Sequence, residues 1–159
     1  MPQQESTEPK LVIFDLDNTL RNNEGSAHMI PANLGLSMNI AAHWAPWQDY
    51  ANENGTPIEY MCSLYESMVD DPQYKVMIVT SSSFGTTQWL AKHSLPQPQG
   101  LIERNILDNR SPSSFKRDII DGMMSIHLWV DDCPTMCKYA REKEIKVLQV
   151  THNYYEHQK

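Results

Sequence analysis

Residues 10–20 of this chain read KLVIFDLDNTL. The first part, Lys10 to Leu16, is apolar and β-branched, which is typical of a strand buried on both faces. Asp15 and Asp17 leave the end of that strand two residues apart, so in extended geometry their side chains point the same way. Carboxylates this close repel each other, and a divalent cation would neutralise them. Hard oxygen ligands of this kind suit Mg²⁺.

The rest of the chain alternates between short apolar runs and helical patterns. The apolar runs predict four further strands, at Lys75–Thr80, Leu101–Ile106, Ile126–Val130 and Lys146–Val150. Helical spacing and capping residues predict helices at Ser37–Asn54 (broken or kinked at Pro46), Thr56–Val69 (Thr56 as cap, Pro57 at the first position), Gly85–His93, Ser114–Met123 and Pro134–Lys143. Asn22–Leu36 is predicted to be a loop. This alternation predicts a three-layer α/β fold, a parallel sheet flanked by helices, with its ligand site at the carboxyl ends of the strands.

A second pair of acids, Asp131 and Asp132, follows the predicted strand that ends at Val130. A single aspartate at a strand end is normally a cap or turn residue. Two pairs, each after an apolar strand, indicate a functional site at one edge of the sheet.

The segment DLDNTL resembles the first motif, DxDxT, of the haloacid dehalogenase (HAD) superfamily. The resemblance implies a Rossmann-like HAD fold in which Asp15 is the nucleophile that receives a phosphoryl group. It implies that Asp17 is the general acid and then the general base, with its backbone carbonyl on the metal. The predicted helices between residues 37 and 69 are short for a separate lid domain, so we expect a minimal cap or none.

Further HAD motifs follow in the family's order. Thr80 ends a strand where family members place Ser or Thr, so its hydroxyl and nearby groups, Ser81 included, are expected to bind the transferring phosphoryl group. Lys116 resembles the third-motif lysine, a fixed cation against developing negative charge. Asp131 and Asp132 match the fourth motif. The magnesium ligands that the resemblance implies are Asp15, Asp17, Asp131 and Asp132.

A narrower resemblance concerns the segment ERNILDNRSPSSFK, which is similar to the R-x3-D-x-R-x5-K pattern of the 3′-phosphatase domains of phage polynucleotide kinases. It implies that Arg104 and Arg110 bind the terminal phosphate and that Asp108 orients an arginine. The alternative is an ordinary surface ion-pair network. One departure is that this chain has serines at positions 81–83, Ser82 among them, where that domain has an arginine. The sequence contains no kinase P-loop of the GxxxxGK[ST] type.

The leading functional hypothesis is a Mg²⁺-dependent phosphomonoesterase that removes 3′-phosphates from polynucleotide ends or nucleotides. The alternative is a 5′-nucleotidase or another small-molecule phosphatase of the HAD superfamily. A third hypothesis is a catalytically silent HAD scaffold that binds a protein partner. Trp44, Trp47 and Trp89 could stack on a base, although aromatic residues at helical spacing more often belong to a core.

Length, composition and net charge limit the number of domains, the cellular location and the kinds of partner. The 159 residues suit one domain, with residues 1–9 expected to be disordered. No apolar run approaches the length of a membrane span and no secretory signal is visible, so we expect a cytoplasmic protein. The net charge of −7 argues against an extended nucleic-acid-binding surface, although one terminal phosphate needs only a local cluster of cations. The three cysteines lack CxxC spacing and are expected to be reduced. Oligomerisation is left open.

Overall fold

The apolar runs of the sequence form one parallel sheet in the computed structural model, which describes residues 8–152. Those residues contain seven strands: β1 (Lys10–Phe14), β2 (Arg21–Asn22), β3 (Thr56–Pro57), β4 (Tyr74–Thr80), β5 (Gly100–Glu103), β6 (Leu128–Asp131) and β7 (Lys146–Gln149). Five of them form the parallel sheet, in the order β5-β4-β1-β6-β7, and β2 pairs with β3 in a separate antiparallel ribbon. Because β1 is central, its carboxyl end lies between those of β4 and β6.

The same residues contain five α-helices: α1 (Ala45–Asn54), α2 (Glu59–Asp70), α3 (Thr86–Lys92), α4 (Pro112–Gly122) and α5 (Pro134–Glu142). Short 3₁₀ helices span Ala27–Met29, Pro31–Leu34 and Ala41–Trp44. The start of α4 has a local cause, since Ser111 Oγ accepts the N–H of Ser114 at 3.2 Å. Pro112 occupies the first turn of α4, where a missing N–H needs no partner. None of the helices in residues 8–152 is long and apolar enough to cross a bilayer.

Alternate residues of β1 face opposite sides of the sheet, as the two-residue period of a strand requires. Val12 packs on one side in a cluster that includes Tyr65 of α2. Ile13 packs on the other side in a cluster that includes Phe115 of α4 and Met136 of α5. Two helical layers therefore enclose the sheet, and the predicted three-layer α/β fold is confirmed.

The prediction of a helix from Thr56 is wrong at its start. Thr56 and Pro57 form β3, which pairs with Asn22 and Arg21 of β2. The N–H of Ile58 then donates to Leu20 O at 2.8 Å, and α2 begins only at Glu59. A pairing between distant segments therefore overrides the local capping signal.

The prediction of one helix from Ser37 to Asn54 is also wrong in part. Ser37 Oγ accepts the N–H of Asn39 at 3.2 Å and closes a turn instead of capping a helix. A 3₁₀ helix precedes α1, and Pro46 lies in the first turn of α1, so this proline begins the helix and does not kink it. The predicted loop at residues 22–36 includes Asn22 of β2 and two 3₁₀ helices.

The other predicted elements are present, with ends that differ from the prediction by at most three residues. Residues 1–9 were predicted to be disordered, and residues 1–7 of that segment lie outside the described residues. All three cysteines are free, and Cys62 and Cys137 are buried.

Candidate active site

The loop after β1 fixes the orientation of Asp15. The N–H of Asp15 donates to Val130 O of β6 at 2.8 Å, which continues the sheet by one residue. The carbonyl of Leu16 then accepts the N–H groups of Leu20 and Arg21, both at 2.9 Å, so the chain turns back sharply. This turn brings the hydroxyl of Thr19 to Oδ2 of Asp15, where it donates at 3.1 Å. The DxDxT spacing therefore supplies a carboxylate together with the hydroxyl that orients it.

Helix α4 brings Lys116 to the same point. Lys116 Nζ donates to Asp15 Oδ1 at 2.7 Å and to Asp131 Oδ2 at 3.2 Å, and the lysine is 4% exposed. Asp131 is itself fixed, because its Oδ2 accepts the indole N–H of Trp129 at 3.1 Å and its Oδ1 accepts the N–H of Cys133 at 3.0 Å. The ammonium thus bridges the ends of two strands inside the protein.

Negative charge dominates the environment of Asp15, Asp131 and Lys116, as the shifts in pKa show. Burial raises the pKa of the Asp15 carboxyl well above its ordinary value, Asp131 raises it further, and Lys116 opposes the rise. Burial alone would lower the pKa of Lys116, but the charges of Asp131 and Asp15 outweigh burial and raise it. Lys116 therefore stays protonated. Among residues 8–152 it is the cation that pairs with both Asp15 and Asp131.

Carboxylate oxygens of Asp15, Asp131 and Asp132 lie within 4.8 Å of one another. Among residues 8–152, three carboxylates lie near the single ammonium of Lys116, and a divalent cation would neutralise further negative charge. Oxygen donors in this number are those Mg²⁺ prefers. The residues present therefore fit a magnesium ion, held by Asp15, Asp131 and Asp132.

The carboxylate of Asp17 lies outside that cluster. Its Oδ1 accepts Arg21 Nε at 2.9 Å, Arg21 Nη2 at 2.7 Å and Asn23 Nδ2 at 2.7 Å. Its Oδ2 accepts the hydroxyl of Ser82 at 2.7 Å. Of the four ligands implied for the metal, Asp17 is thus the one whose carboxylate is bound elsewhere, and the resemblance implies a metal contact from its backbone carbonyl only.

Sequence reasoning did not single out Arg21, which is fully buried. Its Nη1 donates to Asn52 Oδ1 at 2.5 Å, and Asn52 Nδ2 donates to Phe84 O at 3.2 Å. The guanidinium also lies over the ring of Trp89, 5.6 Å from its centroid. The only signal in the sequence was the position of Arg21 four residues after Asp17, and nothing local shows that an arginine there is buried.

Thr80 and the serines that follow it line the other side of Asp17. Thr80 ends β4 and is buried, and its Oγ1 accepts the N–H of Ser82 at 3.1 Å. Ser81 is half-buried, and Ser83 donates its N–H to Gln48 Oε1 at 2.8 Å. Ser82 lies in the serine segment where the phosphatase domain of the narrower resemblance has an arginine, and its hydroxyl donates to Asp17.

The two arginines of the R-x3-D-x-R-x5-K segment have different environments. Arg110 is half exposed and pairs with Asp108 at 2.6 Å and with Asp118. Arg104 is 5% exposed, and its Nη1 donates to the carbonyl of Arg110 at 2.9 Å. Within residues 8–152 Arg104 forms no salt bridge, and its Nε has no hydrogen-bond partner. Asp108 thus orients Arg110, as the resemblance implied, whereas Arg104 is the cation without a carboxylate partner.

A cavity of about 330 Å³ opens beside Asp17. Its lining is formed by Asp17, Met38, Asn39, Ala41, Trp44, Trp47, Gln48, Ser81, Ser82, Arg104, Asn109, Arg110, Ser111 and Pro112. Trp89, in contrast, is a core residue, 1% exposed, whose indole N–H donates to Gly55 O at 2.9 Å. The cavity places two tryptophans, two arginines and the predicted general acid around one space.

Comparison with known proteins identifies relatives by fold alone, because no family model and no curated protein matches the sequence. A hydrolase from Streptococcus pneumoniae superposes with a TM-score of 0.58 at 14% identity, over 94% of this chain and 97% of that one. A HAD family enzyme from Bacteroides thetaiotaomicron, in complex with magnesium and inorganic phosphate, gives 0.55 at 14% identity, over 92% and 96%. A haloacid dehalogenase-like family protein from Streptococcus pneumoniae gives 0.56 at 16% identity, over 92% and 86%. The chain therefore has the fold of HAD-superfamily hydrolases.

Proposed function

We propose that this chain is a single-domain, Mg²⁺-dependent phosphomonoesterase that uses Asp15 as its nucleophile. The observation that carries the proposal is the position of Lys116 Nζ, 2.7 Å from Asp15 and 3.2 Å from Asp131, within a cluster that Asp132 completes. Burying a lysine and two carboxylates costs desolvation free energy that their attraction barely repays, so stability alone does not explain this arrangement. The lysine is well placed to stabilise the charge of a phosphoryl group in transfer.

In the proposed reaction, a carboxylate oxygen of Asp15 attacks phosphorus and the ester P–O bond breaks. The leaving oxygen takes a proton from Asp17, which yields the alcohol and an aspartyl phosphate. A water molecule then gives a proton back to Asp17 as its oxygen attacks phosphorus, and the bond to Asp15 breaks to release inorganic phosphate. Mg²⁺, when bound by Asp15, Asp131 and Asp132, would supply positive charge against the phosphoryl oxygens.

The surroundings of Asp17 support its part in this scheme. Arg21 and Asn23 hold Oδ1, so Oδ2 is the oxygen that can carry the transferred proton. Ser82 is the partner of Oδ2, and its hydroxyl can rotate to accept a hydrogen bond when Oδ2 is protonated. Asp17 also lines the cavity, which is where the leaving group must lie if Asp17 protonates it.

For the substrate we propose a 3′-phosphate at a nucleic-acid end or on a nucleotide. The R-x3-D-x-R-x5-K spacing supports it, together with the buried Arg104 on the cavity wall. The second candidate is a 5′-nucleotidase or another phosphatase of small molecules. The net charge of −7 favours this second candidate, as does the pairing of Arg110 with Asp108 and Asp118, which reduces the positive charge available to a polyanion.

Phosphate release tests the proposal directly. The panel consists of a 3′-phosphorylated oligonucleotide, its 5′-phosphorylated counterpart, mononucleotides and an aryl phosphate, each with and without Mg²⁺. Preference for the first supports the leading substrate, and preference for mononucleotides or the aryl phosphate supports the second candidate. No release from any of them would favour a catalytically silent scaffold.

The variant Asp15→Asn tests the nucleophile, because the amide keeps the shape of the side chain and still accepts a hydrogen bond from Thr19. We expect turnover to fall by more than about a thousandfold, since loss of a nucleophile removes the whole covalent route. Circular dichroism and the thermal midpoint serve as controls for folding. Undiminished Mg²⁺-dependent activity in this variant would disprove the assignment.

A further inference from the structure

The lining of the cavity beside Asp17 includes the apolar side chains of Met38, Trp44 and Trp47. Trp44 and Trp47 stand 5.8 Å apart, ring centre to ring centre, at an interplanar angle of 81°. Their indole N–H groups are both used inside the protein, Trp44 toward Met38 O and Trp47 toward Ser26 Oγ, each at 3.0 Å. What the two rings offer the cavity is therefore carbon surface, which suits a flat ring.

Exposed apolar residues continue this wall to the surface. Met38 lines the cavity and is 43% exposed, and its neighbours Leu36 and Ile40 are exposed as well. The exposed Met38 side chain adds to the apolar surface that a ring in the cavity could contact. Asn109 fixes the arrangement, because its Oδ1 accepts the N–H of Ala41 at 2.9 Å and so joins the two sides of the cavity.

The cavity lining also carries positive charge, from Arg104 and Arg110. Arg104 is buried, and within residues 8–152 it has neither a salt bridge nor a partner for its Nε. Leaving a buried donor unpaired has a free-energy cost, which a ligand that brings an acceptor would relieve. The backbone N–H of Arg104 donates to Thr80 O at 3.1 Å, so this cation is attached to the strand end where the phosphoryl group is expected.

The size of the cavity limits what can fill it. A volume of about 330 Å³ is at the small end of ligand sites, which run from roughly 300 to 1,000 Å³. That space holds one ring system with its sugar, and a second nucleotide would lie outside it. The acidic surface gives a longer strand little further attraction.

We propose that the cavity binds the terminal nucleoside of the substrate, with its base against the Trp44–Trp47 pair and Arg104 donating to acceptor atoms of the same nucleotide. Recognition ends with that one nucleoside. The inference rests on the proposed function, since Asp17 must protonate the group that occupies this cavity.

The test compares substrates that differ only in the base. We would measure kcat/KM for nucleoside 3′- and 5′-monophosphates, for the matching ribose phosphates without a base, and for a 3′-phosphorylated dinucleotide. We expect the preferred nucleotide to exceed its ribose phosphate by about tenfold or more, because stacking on an aromatic side chain contributes about 1–3 kcal/mol per base. The dinucleotide should match the mononucleotide within about threefold.

Variants of Trp47 separate stacking from structure. Trp47→Leu should lose about tenfold in kcat/KM on the nucleotide and little on ribose phosphate, whereas Trp47→Phe, which keeps a ring but also lacks the bond to Ser26, should retain most of the activity. Tyr60→Leu is a matched control, because Tyr60 is 62% exposed and lies outside the cavity lining. The thermal midpoint of each variant reports on folding.

Each outcome has a separate meaning. Equal turnover of nucleotide and ribose phosphate, or an equal loss on both in Trp47→Leu, would overturn the cavity proposal and leave the phosphatase intact. A dinucleotide better than the mononucleotide by tenfold would overturn the one-nucleoside limit. If no phosphomonoester is hydrolysed, the proposed function fails. The nucleoside proposal is then tested by binding, with tryptophan fluorescence measured as adenosine or another common nucleoside is added. Saturable quenching that Trp47→Leu abolishes supports it, and no quenching overturns it.

Discussion

The guanidinium of Arg21 is fully buried and donates through both Nε and Nη2 to a single oxygen of Asp17, at 2.9 and 2.7 Å. Asp17 is 17% exposed at its side chain, so this ion pair lies at the boundary between the core and the cavity. Arg21 is therefore a positioning residue. It leaves Oδ2 as the oxygen of Asp17 that faces Ser82.

Removal of Arg21 should cost both stability and activity. Arg21→Met leaves the partly buried Asp17 without its cation, and we expect the free energy of unfolding to fall by about 3 kcal/mol. Urea unfolding followed by circular dichroism gives the value. Arg110→Met is the matched control, because the ion pairs of Arg110 are exposed and screened by solvent, so this variant should lose much less stability. An equal loss in the two variants would contradict the role of burial.

Lys116 should matter for folding as well as for turnover. Lys116→Met leaves Asp15 and Asp131 buried without their cation, so we expect a loss of about 3 kcal/mol at neutral pH. The loss should shrink as the pH falls, because the pKa of Asp15 is already raised and protonation removes the uncompensated charge. The same variant should reduce kcat by about a hundredfold or more. Denaturant titrations at several pH values measure the first effect, and a loss independent of pH would contradict this explanation.

Mg²⁺ should stabilise the protein, because it would neutralise the Asp15, Asp131 and Asp132 cluster. At a Mg²⁺ concentration about a hundred times the dissociation constant, we expect the free energy of unfolding to increase by about 2.7 kcal/mol. The increase should appear as a rise in Tm that EDTA reverses. A carboxyl with a raised pKa in the folded protein stabilises it while protonated, and that contribution is lost as the pH rises through the folded pKa. Mg²⁺ competes with that proton, so the rise in Tm should be larger at about pH 8 than at about pH 5.

The variant Asp132→Ala supplies the control for that measurement, because it removes one proposed ligand and leaves the hydrogen bonds of Lys116 to Asp15 and Asp131 in place. Its Tm should respond less to Mg²⁺ than that of the wild type. A response that is unchanged would show that the ion acts elsewhere on the acidic surface.

Gly55 should be intolerant of a side chain, because a Cβ there would lie 2.7 Å from both Cγ and Cδ of Arg21 and 2.5 Å from Ala51 O. Since one of these atoms belongs to the backbone of α1, the clash cannot be relieved by a side-chain rotation. We expect Gly55→Ala to lower Tm by several degrees, corresponding to about 1–3 kcal/mol, and to lower kcat through Arg21. Gly122→Ala, where nothing lies within 4 Å, should be neutral.

The strands and their acids could be predicted from sequence because their signals are local. β1, β4 and β6 are apolar runs, and Asp15, Thr80 and Asp131 lie at or just after their ends. Parallel strands then bring these residues to one edge of the sheet, whatever the rest of the chain does.

The features that could not be predicted depend on distant partners. The pairing of Thr56 and Pro57 with Asn22 and Arg21 replaces a helix start that the local sequence favoured. The burial of Arg21 depends on Asn52 and on the space left by Gly55. For Arg110 the spacing was compatible with either phosphate binding or an ion pair, and the structure shows ion pairs with Asp108 and with Asp118 of α4.

The central place of β1 also has a consequence for synthesis on the ribosome. Among the strands of residues 8–152, β1 is synthesised first, yet its two neighbours in the sheet are β4, where Lys10 pairs with Tyr74, and β6, where Val12 pairs with Leu128. Until the second of these has been made, an apolar strand keeps one edge free to pair with another nascent chain. A fragment that ends before Leu128 should therefore aggregate more readily than one that includes β6.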